Sequence, residues 1–269
     1  EGSVWLDRLL PLRDAAQAPA AVRANALHGA AVLANAVGEH ARAKAHLEQS
    51  MALFREIGDV LGAARAINSL GGTAYDEGDV ERAAALWEQS LALAREAGDL
   101  GEVARSLGHL GEAAYHLGNL ADATARHEEA LAAARQAGRT DVEAFQLGDL
   151  ANVARRRGDL IRALTLQRQA LVLKVALGDR RQVAISLEHL AQIHAADGRG
   201  ERAARLVGAA TALRDAIGAP QPPPERADTE RSVAGARAAM GESRWAAALE
   251  AGRALSLEQA IAEALDDGS

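Results

Sequence analysis

The sequence predicts an all-α solenoid closed by a C-terminal helical cap, and two observations support this. The composition is rich in Ala, Leu, Glu and Arg, with 3% aromatic residues and six prolines, which is typical of helical proteins. Glycine also recurs at every twentieth position without an insertion, at Gly38, Gly58, Gly78, Gly98, Gly118, Gly138, Gly158, Gly178, Gly198 and Gly218. This spacing predicts a run of helices of about 27 Å joined by tight turns.

Most of these glycines precede an acid or an amide, as in Gly58-Asp59, Gly78-Asp79 and Gly118-Asn119. Glycine adopts the left-handed conformation that ends a helix, and Asp or Asn can accept backbone N–H bonds at the start of the next helix. Each pair therefore predicts a corner between two helices.

The repeat spans two of these helices, from one glycine to the next but one, because alternate helices differ in pattern. Small residues recur at Ala43, Ala83, Ala123, Ala163 and Ala203, and again at Gly71, Gly111, Ala151 and Ala191, next to Leu70, Leu110, Leu150 and Leu190. One helix pair cannot bury such a seam on both sides, so neighbouring pairs must stack. We expect a solenoid over residues 1–218, with a half repeat at 1–17 and helix pairs at about 20–57, 60–97, 100–137, 140–177 and 180–217.

The regular spacing ends at Gly218, where the proline-rich segment GAPQPPPE predicts a break. Three shorter helices are expected after it, at about 225–240, 242–253 and 256–265, the last opened by a capping box of Ser256 and Gln259. Because a stacked array needs an atypical end, we interpret residues 219–269 as a cap, with Trp245 in its core.

Charge and composition exclude several classes of protein. A net charge of −7 argues against a direct nucleic-acid partner, and the longest apolar runs are too short to span a membrane. The chain has no cysteine, and neither of its lysines, Lys44 and Lys174, lies in a phosphate loop. We therefore expect a cytoplasmic chain without a cofactor. It starts inside a helical pattern, so we expect it to be a piece of a longer protein.

One column of residues, Ser69, His109, Asp149 and His189, has the composition of a catalytic triad. These residues lie on helices whose axes should be about 8–10 Å apart, whereas a nucleophile and its base need contact at about 3 Å. The column therefore predicts a polar ladder between helices or along a groove, and the chain is not expected to be an enzyme.

His109, Glu112 and His116 share one helix face, which is a pattern found among metal ligands. The two histidines would be separated by two turns, roughly 10 Å, which is too far for one ion. A Glu112–His116 contact is expected instead of a metal site.

The segment INSLGGTAYDEGDVERAAALWEQSLALA (67–94) resembles the tetratricopeptide repeat, through Leu70-Gly71, Tyr75, Gly78-Asp79 and Ala83. Its period is longer than is usual for that repeat, and the proline that closes the repeat is missing. This long form resembles the C-terminal sensor domain of STAND-class signalling ATPases, including LuxR-like and maltose-regulator-like bacterial transcriptional regulators. The tail ERAARLVGAATALRDAIGAPQPPPERADTE resembles the closing segment of that family.

The resemblance implies a right-handed α-α superhelix in which the first helix of each pair lines a concave groove. Aromatic, Arg, His and amide side chains on those helices are the expected ligand contacts. They are Arg65, Asn68, Ser69, Tyr75, Arg105, His109, Glu112, Tyr115, His116, Phe145, Asp149, Asn152, Arg155, Arg156 and His189, and the same columns contain Asn25, His28, Val32, Asn35, Asp76, Glu188 and Gln192. At the helix end that carries Arg155 and Arg156, either a favourable helix dipole or an anion-contacting patch explains the charges.

Two functions are consistent with this pattern. The first is a non-catalytic sensor that binds a peptide, a protein or a small-molecule inducer and regulates ATPase or effector domains upstream in the same chain. The alternative is a constitutive scaffold for protein–protein assembly.

Overall fold

The structure is a computed structural model that describes residues 18–266, and all regular secondary structure in that range is helical. The chain divides between Arg139 and Thr140 into two compact units. Unit 1 ends at Arg139 and unit 2 begins at Thr140. The half repeat expected at 1–17 lies outside the described residues.

Unit 1 contains three helix pairs. The first helices of these pairs are α1 (Ala20–Ala36), α3 (Val60–Asp76) and α5 (Leu100–His116), and the second helices are α2 (His40–Glu56), α4 (Val80–Ala97) and α6 (Leu120–Gln136). Each first helix packs against its own second helix, and within the unit α1 also contacts α3, and α3 contacts α5. This is the stacked arrangement that the small-residue columns predict.

Unit 2 contains two further pairs and three helices that follow them. The pairs are α7 (Thr140–Arg156) with α8 (Leu160–Ala176) and α9 (Arg180–Ala196) with α10 (Gly200–Ile217), followed by α11 (Pro223–Met240), α12 (Glu242–Arg253) and α13 (Leu257–Leu265). The structure confirms the capping box of Ser256 and Gln259 at the start of α13. The division of the chain into a solenoid and a cap stays a prediction.

The structure confirms the role of the ten periodic glycines, all of which have φ between 64° and 87°. At five corners the following aspartate caps the next helix, for example where Gly62 N donates to Asp59 Oδ1 at 2.8 Å and Glu102 N donates to Asp99 Oδ1 at 2.8 Å. Glu39 and Asn119 make no such side-chain bond. The turn therefore depends on glycine at every corner, and the acidic cap is an addition at some of them.

Two glycines in unit 1 make room for a ring on the partner helix. A Cβ on Gly71 would lie 2.4 Å from Trp87 Nε1, and one on Gly111 would lie 2.7 Å from His127 Nε2. The same position is Ala31 in the first pair, where it packs in one apolar cluster with Leu47. The chain thus matches the size of the first-helix residue to that of its partner, repeat by repeat.

In unit 2, α12 crosses α10 at two glycines. A Cβ on Gly208 would lie 2.1 Å from the Leu249 carbonyl oxygen, and one on Gly252 would lie 1.9 Å from that of Arg205. Next to this crossing Trp245 is 4% exposed and packs with Ala203, Ala204 and Val233, which confirms its predicted position in an apolar core.

The last helix, α13, is held by its apolar face and by its C-terminal carbonyl groups. Ala260 and Ala264 join the core formed around Leu187 and Leu206. Arg168 donates to the carbonyl oxygens of Ala264 (3.2 Å) and Asp266, and Arg202 donates to those of Glu263 and Asp266. Carbonyls at a helix C-terminus have no partner within the helix, so these arginines complete their hydrogen bonding and oppose the negative end of the dipole.

Within residues 18–266, no helix has both the length and the apolar character needed to cross a lipid bilayer.

Candidate binding face

The predicted ligand contacts of unit 1 lie on helices α3 and α5, and most of them reach solvent. We call this set the unit 1 face, comprising Arg65, Ser69, Tyr75, Arg105, His109, Glu112, Tyr115 and His116. Asn68 differs, because it is 4% exposed and its Nδ2 donates to Ser106 Oγ at 3.0 Å. Asn68 therefore joins α3 to α5 and is not available on the surface.

Two exposed arginines on the unit 1 face are held by one buried carboxylate. Glu102 Oε2 lies 3.8 Å from Arg65 Nε and 3.7 Å from Arg105 Nε, and Arg65 Nη2 lies 3.7 Å from Asp99 Oδ2. The Glu102 side chain is 2% exposed, whereas those of Arg65 and Arg105 are 52% and 46% exposed. Burial raises the pKa of the Glu102 carboxyl, and the charges of Arg105 and Arg65 oppose that rise. The carboxylate orients both guanidinium groups while leaving about half of each side chain in solvent.

Hydrogen bonds join successive first helices at two places, one of which involves Ser69 of the predicted polar ladder. His28 Nε2 and Ser69 Oγ are 2.8 Å apart, and Tyr75 Oη donates to Glu112 Oε1 at 3.4 Å. Burial lowers the pKa of His28, as do the charges of Arg65 and Arg105, so its imidazole is neutral at pH 7. Since Ser69 pairs with a neutral histidine of α1, it belongs to the ladder between helices.

Five rings of α3, α4 and α5 form a cluster. The Trp87 ring centroid is 5.7 Å from that of Tyr75 and 5.0 Å from that of His109, and His116 contacts Tyr75 and Tyr115 at 5.6 and 5.5 Å. Burial lowers the pKa of His109 to about 4, with a further contribution from Arg105. Within the described range, no group of three His, Asp or Glu side chains could hold a metal ion. The buried Trp87 therefore supports the more exposed rings of the face from the interior.

The predicted contacts of unit 2 lie on α7 and α9, and we call them the unit 2 face. They are Phe145, Asp149, Asn152, Arg155, Arg156 and His189. Phe145 is 46% exposed, at the position that corresponds to Arg65 and Arg105 in unit 1. Burial lowers the pKa of His189 to about 3, and the charges of Lys174, Arg155 and Arg214 contribute. Arg155 and Arg156 lie in the last turn of α7.

Helix α11 covers part of α9, where the sequence predicted two more exposed residues. Glu188 is 5% exposed and accepts two hydrogen bonds from Arg214, at 2.5 and 2.9 Å, and Gln192 is 4% exposed and donates to Thr229 Oγ1 at 3.3 Å. Both therefore belong to the packing of unit 2. The direction in which the chain turns after its prolines is not encoded in helical periodicity, so the sequence did not reveal this cover.

Sequence reasoning also missed Lys174, a residue of α8 that reaches the unit 2 face. Its Nζ lies 5.6 Å from the centroid of the Phe145 ring. The corresponding positions in the other second helices are Phe54, Ala94, Ala134 and Arg214. A lysine in a column that is otherwise mostly apolar was a usable signal.

Comparisons with known proteins identify the repeats. A sequence model described as tetratricopeptide repeat matches residues 22–96 and 62–136, and a second model with the same description matches 146–180. Together they cover more than half of the chain. The chain belongs to the tetratricopeptide repeat family. No curated protein matches it by sequence.

Several solved structures resemble this chain in fold. BtubC from P. vanneervenii is 19% identical, with 82% of this chain and 92% of that chain covered and a TM-score of 0.68. The STAND protein with a tetratricopeptide repeat sensor from Pyrococcus horikoshii is 16% identical, with 92% and 37% covered and a TM-score of 0.65. A Rap protein complexed with Competence and Sporulation Factor is 13% identical, with 90% and 73% covered and a TM-score of 0.60. At these identities the likeness shows the fold alone, and it confirms the fold class predicted from the sequence.

Proposed function

We propose that this chain is a non-catalytic binding module that recognises a peptide segment of a partner on its first helices. The observation that carries the proposal is the pair of exposed arginines, Arg65 and Arg105, held by the buried Glu102. Arginine and tyrosine are enriched where interfaces gain most of their binding energy, because they offer large contact areas and directional donors. Holding them in place before binding reduces the entropy that binding would cost.

The proposed ligand is an extended peptide with acidic side chains. Two guanidinium groups, one repeat apart in sequence and on successive first helices, favour carboxylates at a matching interval. Tyr75 and Tyr115 recur at the same period and add apolar contact area beside them. The Rap protein mentioned above is complexed with Competence and Sporulation Factor, and this supports ligand recognition by this fold.

We further propose that the chain is the sensor of an attached signalling ATPase. The likeness to a STAND protein whose tetratricopeptide repeats are a sensor supports this role, because it extends over 92% of the present chain. Such a sensor works only if the ligand binds two states of the whole protein with different affinities. A constitutive scaffold would bind the same peptides without that difference.

The binding proposal is tested with an array of immobilised peptides probed with three purified proteins. The face variant carries Arg65→Ala, Arg105→Ala and Tyr115→Ala, and the control carries Arg55→Ala and Arg82→Ala, two exposed arginines of second helices. The wild type and the control should select the same acidic peptides, and the face variant should bind them at least tenfold more weakly with unchanged circular dichroism. Absence of selected peptides, or equal binding by the face variant, would overturn the proposal.

The sensor role is tested separately in the whole protein from which this chain comes. ATP turnover is measured with and without a selected peptide. A change in turnover that the face variant abolishes supports the sensor. Binding without any change in turnover, or a whole protein without an ATPase, would leave the scaffold as the function.

A further inference from the structure

The interior between α7, α8 and α9 of unit 2 differs from its counterpart in unit 1. Between α3, α4 and α5, Trp87 Nε1 donates to the Asn68 carbonyl at 3.1 Å, and Ser106 Oγ bonds both Asn68 Nδ2 and Ser90 Oγ at 3.0 Å. The corresponding residues of unit 2 are Gly148, Gln167, Ala170 and Ser186. An indole and two polar partners have been replaced by smaller side chains.

Several buried polar atoms in this part of unit 2 have no hydrogen-bond partner. Gln167 is 0% exposed, and neither its Nε2 nor its Oε1 is bonded. Ser186 Oγ, Arg155 Nε and His189 Nδ1 are also buried and unbonded. A buried amide without partners destabilises the fold, so a chain that keeps one calls for an occupant that satisfies it.

Lys174 brings a positive charge to the same place. A Cβ added to Gly148 would lie 3.7 Å from Lys174 Nζ and 3.8 Å from Gln167 Oε1. Lys174 is 4% exposed, and within residues 18–266 its ammonium makes a cation–π contact with Phe145 but no ion pair. Burial lowers the pKa of Lys174, and the more distant charges of Asp149 and Asp179 oppose this change.

The charges around the cluster favour a monoanion. Arg214 and Glu188 neutralise each other through two hydrogen bonds, and His189 is neutral because its pKa is about 3. Lys174 and Arg155 are positive, and the charges of Asp149 and Asp179 act on Lys174 in the opposite direction. A phosphate dianion would be repelled by these aspartates more strongly than a singly charged carboxylate would.

We propose that the cluster of Gln167, Lys174, Arg155 and His189 binds the carboxylate of an organic ligand, with Phe145 packing against the apolar part of that ligand. The carboxylate accepts hydrogen bonds from the Lys174 ammonium, the Gln167 amide and the Arg155 Nε–H. Phe145 presents an exposed ring beside the ammonium, where a ligand's apolar group displaces water. This inference rests on the proposed function, because it assigns the chemistry of one subsite formed by the first helices α7 and α9 together with α8.

The experiment uses the fact that the chain contains only two lysines, Lys44 and Lys174. Labelling lysine with ¹³C at Cε gives two NMR signals, which Lys44→Arg assigns. Phenylacetate should shift the Lys174 signal saturably and raise the pKa of Lys174, because a bound carboxylate stabilises the charged ammonium. The Lys44 signal should not move, and phenylacetamide, the neutral analogue, should have no effect.

Comparing phenylacetate with a second probe, N-acetylphenylalanine, distinguishes the sources of the carboxylate. Phenylacetate represents a free organic acid, and N-acetylphenylalanine represents the C-terminus of a peptide. Tighter binding of either one supports the proposal and identifies the source. The proposal would be overturned by tighter binding of inorganic phosphate or by equal shifts at both lysines. It would also be overturned by the absence of a shift at Lys174, which would mean that ordered water completes the hydrogen bonds.

A matched pair of variants tests the geometry. Gln167→Leu introduces the residue that the first repeat has at the corresponding position, Leu47, and it should weaken phenylacetate binding at least tenfold while keeping the fold. Gln169→Leu alters an exposed glutamine two positions away and should bind like the wild type. Wild-type binding by Gln167→Leu would overturn the proposal. Because this assay uses unit 2 and a small acid, its failure is separate from failure of the peptide array, which depends on Arg65, Arg105 and Tyr115.

Discussion

At the residue scale, Gly71 and Gly72 show how sharply one position can differ from its neighbour. The α-carbon of Gly71 faces the Trp87 indole, whereas a Cβ on Gly72 would meet no atom within 4 Å. Both lie within α3 and both are helical, so backbone freedom is not what separates them. Packing against the second helix is the difference.

We expect Gly71→Ala to lower the free energy of unfolding by about 1–3 kcal/mol, because the methyl group would overlap the indole. Gly72→Ala should raise it by up to about 1 kcal/mol, since alanine is the better helix former. Urea denaturation followed by circular dichroism measures both. The double variant Gly71→Ala, Trp87→Leu should recover much of the loss because it reproduces the Ala31 and Leu47 pair, and a double variant as unstable as the single one would contradict this account.

His194 is a second residue at which one repeat departs from the others. It is 0% exposed with both ring nitrogens unbonded, in a column that otherwise contains Ala34, Ala74, Ala114 and Ala154. Burial lowers its pKa to about 3, with contributions from Arg202, Arg199 and Arg168. The folded chain therefore keeps this imidazole neutral.

We predict that His194→Ala reduces the acid sensitivity of the fold. Unfolded histidine has a pKa of about 6.5, so below that pH the unfolded wild type binds a proton that the folded state does not, and stability is lost as the pH falls toward 3. Between pH 7 and 5 this costs on the order of 2 kcal/mol. The difference in unfolding free energy between these two pH values should be smaller in the variant by that amount. An equal difference in both proteins would show that His194 is not responsible.

At the element scale, α13 depends on contacts made by its end as well as by its side. Arg168 of α8 and Arg202 of α10 donate to its terminal carbonyl groups, and its apolar contacts come from a helix of only nine residues. Helices this short are marginal on their own. The arginines are therefore expected to decide whether α13 stays docked.

The double variant Arg168→Ala, Arg202→Ala should release α13 while the rest of unit 2 stays folded. Hydrogen exchange measured by mass spectrometry should show at least tenfold faster exchange in residues 257–265, with little change in α9 and α10. Arg244→Ala, which removes an exposed arginine of α12, is the control. Unchanged exchange in α13 would show that its apolar face and the ion pair between Arg205 and Glu263 suffice.

Helix positions were predictable from the sequence to a much greater degree than the contacts of individual side chains. Corners, helix lengths and small-residue columns depend on neighbours in the chain, so Gly58-Asp59 and Ala83 could be interpreted directly. Asn68 was expected on the surface, yet it is buried, because the facing Ser106 turns it inward. The reach of Lys174 to Phe145 depends on the space left at Gly148, which a helical pattern does not express.

At the scale of the whole molecule, buried histidines make both units sensitive to acid. Burial lowers the pKa of His28 and brings that of His109 to about 4 in unit 1, and brings those of His189 and His194 to about 3 in unit 2. Glu102 and Glu188 have the opposite effect on stability, because burial raises their pKa. As the pH falls, the folded state therefore binds these protons before the unfolded state does. Since each histidine that stays neutral contributes separately, their effects add across the chain.

We expect the free energy of unfolding to fall from pH 7 toward pH 4, with a slope that approaches about 1.4 kcal/mol per pH unit, below about pH 6, for each histidine protonated only in the unfolded state. Urea denaturation at pH 7, 6 and 5 measures the slope. The chain should remain helical at pH 7 and lose its cooperative transition as the pH approaches 4. A free energy that is constant over this range would mean that the histidines gain protons within the folded structure.

The glycine corners, each with a positive φ and evenly spaced along the chain, also bear on how such a gene can change. Unequal recombination between two copies of the repeat adds or removes one whole repeat and joins a corner to an equivalent corner. Each product keeps the alternation of first and second helices, so the number of helix pairs can vary without a new fold having to arise.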